Sequence, residues 1–464
     1  MKFFKLLRTV LLGLLVSVLL VFLIAIAVNW NDQRPSPAAR RLTSLIADRA
    51  LVPDAENAYV YLLGFGAPAD KDPAEVGALR RDWLDEIVPA HFDMADDPLP
   101  SPLGFRENGE ASQPAFKTAC REDARKNCGV EFEALSESWH PSQLDALALA
   151  RYEQLLTRPK LRESVPRDVR APLPAYSEVL YAQRMALLTQ MQNAKAGKFD
   201  EVGRFLRADI AFWRAQQRAA NSLISKMIAV AALRNHFYFS NLILRRVPPG
   251  TVLSIVPEDW AREFSREERS MLAVMAGEIL IVQAPFSELE RGNVEKPEDD
   301  ESDEGRFKAV VRRAFYDFIM LFFQKQDQLN LCAARYTRMA DAFDVPMTRY
   351  AEADASVREF ARSEPHGLRI YNPIGSWLRD QDDGTSYLGY PPRAASLEGM
   401  RRAAQLTVQL RSRAVPMQDV PGELLLADLR DPYTGAAFKW QADRRAIVFE
   451  GIEDHRWRRH EYFY

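Results

Sequence analysis

AYSEVLYAQRMALLTQMQNAKAGKFDEVGRFLRADIAFWRAQQ (175–217) sets the fold class. Its apolar side chains recur at three- and four-residue spacing on both sides of Gly197, which reads as two amphipathic helices joined by a tight turn. The same period precedes it in LDALALARYEQLL (144–156) and follows it in NSLISKMIAVAALRNHFYFSNLILRR (221–246). Short connections between long helices imply antiparallel neighbours. Two more apolar helices are expected in MLAVMAGEILIVQA (271–284) and FKAVVRRAFYDFIMLFFQKQDQLNLCAARY (307–336). Both read as core helices rather than membrane spans, because the first is short and holds Glu278 and the second holds Asp317.

The junction AKAGKFDEV (194–202) resembles that between tetratricopeptide units, where glycine closes one helix and an aromatic packs on the next. No sustained 34-residue period accompanies it, so the expected body is a set of generic helical hairpins over 54–395.

Outward from this body, the N-terminus begins with Lys2, Lys5 and Arg8, and Thr9 to Val28 carry no charge. Twenty helical residues span about 30 Å, one hydrocarbon core. Residues 9–29 therefore read as a membrane anchor with a cytoplasmic head at 1–8. Ala25-Ile26-Ala27 has the form of a signal-peptidase site, but the apolar run enters it without a polar spacer, which favours an uncleaved anchor. The basic head stays in the cytoplasm, so the remaining chain is expected in a bacterial periplasm, anchored in the inner membrane. Pro35 and Pro37 hold a short linker extended until a first helix starts near Ala38, the whole occupying 30–53.

Three cysteines suit an oxidising compartment. Cys120 and Cys128 are spaced to bridge if the helix breaks between them, and Cys332 has no neighbour in sequence. Without the first thirty residues the formal charge moves from −3 to −6, against a nucleic-acid partner. The acidic stretch VEKPEDDESDEG (294–305, its core 295–305) lacks the glycine and terminal glutamate of a calcium loop and reads as a solvated loop.

Residues 396–464 differ in texture: a helix around LEGMRRAAQLTVQLRSR, then a turn at Asp431-Pro432 and Thr434-Gly435, then FKW and AIVF alternating like paired strands. This is similar to the Asp-Pro-aromatic-x-Gly hairpin that closes many secreted bacterial proteins. Together with NAYVYLLGFGAP (57–68), FWRAQQRAANSLISKMIAVAAL (212–233) and YNPIGSWL (371–378), the chain resembles an uncharacterised proteobacterial family of single-anchor envelope proteins. That resemblance implies a helical periplasmic body and no activity.

Catalytic spacing is absent. There is no G-x-S-x-G and no serine followed three residues later by lysine. The six histidines form no H-E-x-x-H and no i,i+4 pair, so no metal or other cofactor is expected. Glu163-Ser164 alone is like the glutamate-serine of lytic transglycosylases. One constellation stands out. Lys226, Glu278 and Asp317 are the lone charges in apolar helical stretches, and Asp209 precedes IAFW; burial would drive each to a partner or a shifted pKa. The expectation is that Lys226 pairs with Asp209, Glu278 or Asp317, as a register-fixing ion pair or the wall of a ligand pocket. Trp213, Phe237, Tyr238 and Phe239 are expected in the core, and the tail HRWRRHEYFY (455–464) as a docking peptide or a packed terminus. The functional expectation is a membrane-anchored envelope scaffold with a protein partner. The alternatives are a cell-wall hydrolase or lyase and a small-ligand-binding module.

Overall fold

The computed structural model describes residues 2–86, 93–105, 128–164, 170–291, 316–364, 367, 369–381, 385–453 and 458–464. The fold is mainly α-helical, with an apolar N-terminal helix and a small antiparallel sheet at the C-terminus. The expected bridge partner Cys120 and the acidic stretch 295–305 lie outside the described residues.

Helix α1 (Lys2–Val28) is apolar, and from Val10 to Val28 none of its residues is buried. The chain then turns at Asn29 and enters α2 (Pro37–Ala47), where Ser36 accepts the Ala39 N–H and Pro37 sits at the first helical position. Next come α3 (Ala58–Leu63), capped by Asn57, and α4 (Pro73–Glu86). A short 3₁₀ turn at Asp54–Glu56 leads into α3. Five elements follow: α5 (Cys128–Ser138), α6 (Gln143–Leu156), α7 (Tyr176–Lys195), α8 (Phe199–Ala219) and α9 (Leu223–Leu244). Gly197 closes the α7–α8 turn with φ +74°.

Helix α9 is the hub. It packs on α7, α8, α12 and α16, and its apolar residues lie in one continuous core running from α2 to the sheet. The intervening elements are α10 (Pro249–Ile255), the single turn α11 (Arg266–Arg269) and α12 (Leu272–Arg291). After them come α13 (Lys325–Ala342), α14 (Tyr350–Ser363), α15 (Pro373–Gln381), α16 (Tyr390–Ser412) and α17 (Val420–Leu426). By length and composition α1 and α12 both suffice to cross a membrane. Helix α12, however, buries Val274, Met275, Ala276 and Ile279 and packs on α2 and α13, as a core helix does.

Strands β1 (Lys439–Gln441) and β2 (Ala446–Glu450) form the expected hairpin, and β3 (Arg459–Phe463) adds a third antiparallel strand. The described part of the tail is therefore packed into the sheet. Tyr462 is buried and the Tyr464 N–H reaches the Arg445 carbonyl. Two expected boundaries also dissolve. Helix α2 lies against α12 and α13 within the body, and α16 begins at Tyr390, before the expected boundary at 396, and packs on α9 as well as on the sheet.

Helices α3 and α4 meet backbone to backbone. A Cβ on Gly77 would stand 1.8 Å from the Val60 carbonyl oxygen, and one on Gly64 1.9 Å from that of Pro73. Gly→Ala inside a helix ordinarily stabilises by about 1 kcal/mol. At Gly77 the sign reverses, because rigid backbone occupies the space; Gly77→Ala is expected to lower stability by about 2 kcal/mol or more. Thermal melts of the purified protein check this, and an unchanged or raised Tm contradicts it.

Candidate functional site

Three groups of buried polar side chains lie around α8, α9 and α11. The first surrounds Asp209, on α8 and fully buried. His236 of α9 places Nδ1 2.7 Å from Asp209 Oδ2, Gln183 of α7 donates to both carboxylate oxygens at 3.3 Å, and the Tyr152 hydroxyl of α6 donates to Oδ1. The indole of Trp213 donates to the Tyr152 oxygen at 2.7 Å, and that of Trp260 to His236 Nε2 at 2.9 Å. An indole N–H only donates, so His236 Nε2 must accept and the ring proton sits on Nδ1, facing Asp209. The pair is thus a neutral imidazole on a carboxylate. It has the layout of a catalytic dyad, but Trp260 occupies the lone pair a general base would use, and neither group has any solvent exposure. Burial and the adjacent Asp209 carboxylate push the Tyr152 hydroxyl well above its usual range.

The second group centres on Arg214. All five guanidinium hydrogens are used: Nε and one Nη donate to the two Glu268 oxygens at 2.7 and 2.8 Å, and the others to the carbonyls of Asp259, Arg262 and Glu263. Glu268 also accepts the Ser265 N–H, completing a capping box on α11. Nearby, Arg401 of α16 forks onto Glu398 at 2.9 and 2.6 Å, Arg402 adds a third contact, and the Phe264 N–H donates to Glu398. Arg401 also donates to the Trp260 carbonyl. Burial works against both carboxylates, yet the arginines hold Glu268 and Glu398 below the usual carboxylate range.

Lys226 forms the third group, and it corrects the expected ion pair. Its Nζ donates to the carbonyls of Gln217 at 2.6 Å and Glu268 at 2.8 Å, near the C-terminal ends of α8 and α11. Such carbonyls lack helical partners and suit a cation or a neutral amine. Asp209 is committed to His236. Glu278 accepts the Leu223 N–H at 2.8 Å and the Tyr387 hydroxyl at 3.3 Å, and burial raises its carboxyl pKa. Asp317 is exposed, far from being a buried helix charge. The four expected residues therefore do not converge. Trp213, Phe237 and Phe239 are core, as expected.

Glu163 is buried, and burial raises its carboxyl pKa while Asn221 N–H donates to it at 3.2 Å. It lies at the start of α9 beside Ser222 and Ser225. Two small surface clefts lie among the described residues. One of about 220 Å³ is lined by Asp327, Asn330, Glu364, Arg369 and Arg379, another of about 330 Å³ by Arg338, Asp341, Arg349 and Glu352. Among the described residues no cluster of three histidine, cysteine or acidic side chains is placed to hold a metal.

Sequence reasoning missed Arg214, Arg401 and the Asp209–His236 contact. The available signal was polar: Asp209, Arg214, His236 and Arg401 each sit where the helical period demands an apolar side chain. The chain matches no protein-family model, no curated protein and no solved structure.

The lysine gives a pH signature. Burial lowers its pKa from 10.5 to about 7, the Glu268 charge partly opposing this. Between those values the unfolded chain holds more protons than the folded one, so unfolding free energy rises with pH above about 7; below 7 the burial penalty is fully felt. Above about 10 the rise ends, because buried tyrosines such as Tyr152 and Tyr176 keep their protons only when folded. Urea melts from pH 6 to 9 are expected to show the rise in the native protein and a flatter profile in Lys226→Met. Equal slopes contradict the assignment.

Proposed function

We propose that this is a single-pass inner-membrane protein whose helical-hairpin body stands in the periplasm as a scaffold for an envelope protein partner. The observation that carries the reading is the junction at Asn29. Its side-chain amide donates to the Ile370 carbonyl at 2.7 Å and its Oδ1 accepts the Asn372 N–H at 2.7 Å, while its own carbonyl accepts from Gln324 at 2.8 Å. Asp32 then accepts the Gln326 and Asp327 N–H groups, capping the start of α13 from nearly three hundred residues away. The Ser36 N–H reaches Asn330, and Arg41 forks onto Asp341. The segment expected to be a linker is thereby fastened to the body. A protein tethered only for retention needs a flexible leash; a body locked to its anchor is built to present one face at a fixed height and angle.

The hairpin reading draws on the short Ala196–Lys198 turn between packed α7 and α8. The scaffold reading draws on the buried Asp209–His236, Arg214–Glu268 and Arg401–Glu398 groups, which are committed to internal contacts rather than open to a substrate. The uncleaved anchor belongs to the same reading, because the clasp begins two residues after Ala27.

Affinity recovery of the intact protein from crosslinked envelopes, followed by mass spectrometry, tests the proposal. One envelope assembly in near-stoichiometric amounts is expected, lost when residues 1–28 are exchanged for a cleavable leader. Background recovery alone would sink the scaffold reading. The periplasmic assignment carries a separate expectation: a Cys120–Cys128 bridge with Cys332 outside any disulfide. Non-reducing peptide mapping after alkylation checks it, and finding three alkylated thiols contradicts it.

A further inference from the structure

Residues 316–323 (YDFIMLFF) bring exposed apolar side chains of the body next to α1. Residues 316–320 are helical and 321–322 form a turn, and the segment does not enter the core as the sequence reading expected. Phe318 is exposed and Leu321 is 56% exposed, whereas only the following Phe323 turns inward, against Phe286 of α12. The unburied rings lie against the anchor. Phe22 stacks on Phe318 with centroids 5.6 Å apart and meets Phe322 at 6.2 Å, and Phe318 and Phe322 are edge to face at 5.7 Å.

These contacts fix a depth. Phe22 stands six residues before the end of α1, about 9 Å inside its final turn at 1.5 Å per residue. Whatever solvent surrounds α1 at that level also surrounds Phe318, Leu321 and Phe322. Around the same end, Trp30 is 77% exposed, Ile370 is exposed beside the Asn29 clasp, and Trp377 is exposed on α15, which starts one residue after Asn372. Tryptophan favours the headgroup level. Asp317, exposed at the start of the segment, limits its depth, because a carboxylate is costly in hydrocarbon.

We propose that residues 316–323 are a second membrane element: a short hydrophobic wedge that enters the outer leaflet beside α1, with Trp30, Ile370 and Trp377 at the lipid–water boundary. The occupant of this face is the phospholipid bilayer. The inference rests on α1 crossing the membrane. The clasp at Asn29 locks the body to α1, and the wedge gives that rigid unit a second point of contact with the bilayer.

The full-length protein in phosphatidylethanolamine–phosphatidylglycerol vesicles tests this. A dansylalanine is placed genetically at position 319, 321 or 322 in the wedge, at 19 in the anchor, or at 253 or 426 as exposed reference sites on α10 and α17, and doxyl-labelled phospholipid is the quencher. Quenching at 321 is expected to exceed that at 253 and 426 severalfold and to approach that at 19. Strong quenching at 19 with only reference-level quenching at 319, 321 and 322 overturns the wedge and leaves the anchor standing. Reference-level quenching at 19 overturns both. As a second measurement, Phe318→Ser combined with Leu321→Ser is expected to leave α1 inserted while opening the Asn29 region to a water-soluble protease; unchanged protection counts against the wedge.

Discussion

The saturated fork of Arg214 is the constraint on which the centre of this fold depends. A guanidinium removed from water loses hydration worth many kcal/mol, and only a complete set of acceptors offsets it. Here those acceptors are a carboxylate and three backbone carbonyls, all drawn from residues 259–268, so the charge specifies the path of that loop. The loop in turn presents Trp260 to His236, the Phe264 N–H to Glu398 and the Glu268 carbonyl to Lys226. Four helices, α8, α9, α11 and α16, thereby share one polar scheme threaded through an apolar core.

Much of the helical architecture was legible because its causes are local. Helices α7, α8 and α9 follow from apolar period and the Gly197 break, and β1 and β2 from alternation around a turn. The polar groups were less legible because their partners come from other elements. A lone lysine in an apolar stretch suggests an acid nearby, yet two helix-end carbonyls satisfied Lys226, and carbonyls leave no trace in a sequence. Asp209 and His236 are 27 residues apart on adjacent helices, a separation that no spacing rule encodes. Strand β3 was hidden by RRHEYFY, whose charges suggest solvent although alternate residues turn inward.

The segment 316–323 shows a different limit. Hydrophobicity reports that a side chain avoids water, without saying whether protein or lipid replaces it. FIMLFF read as core because in a soluble body there is nowhere else for it to go. A neighbouring apolar helix that is itself unburied supplies the other destination, and only the ring contacts with Phe22 connect the two.

The clasp at Asn29 also imposes an order on biogenesis. Residues 29–41 take their partners from 324–341 and 370–372, so the beginning of the body cannot be fastened until most of the chain has been made. Contacts of such long sequence separation form late and slowly. Until then, α2 and the stretch before it remain an unfastened end with exposed apolar faces, available to any chaperone that meets the growing chain.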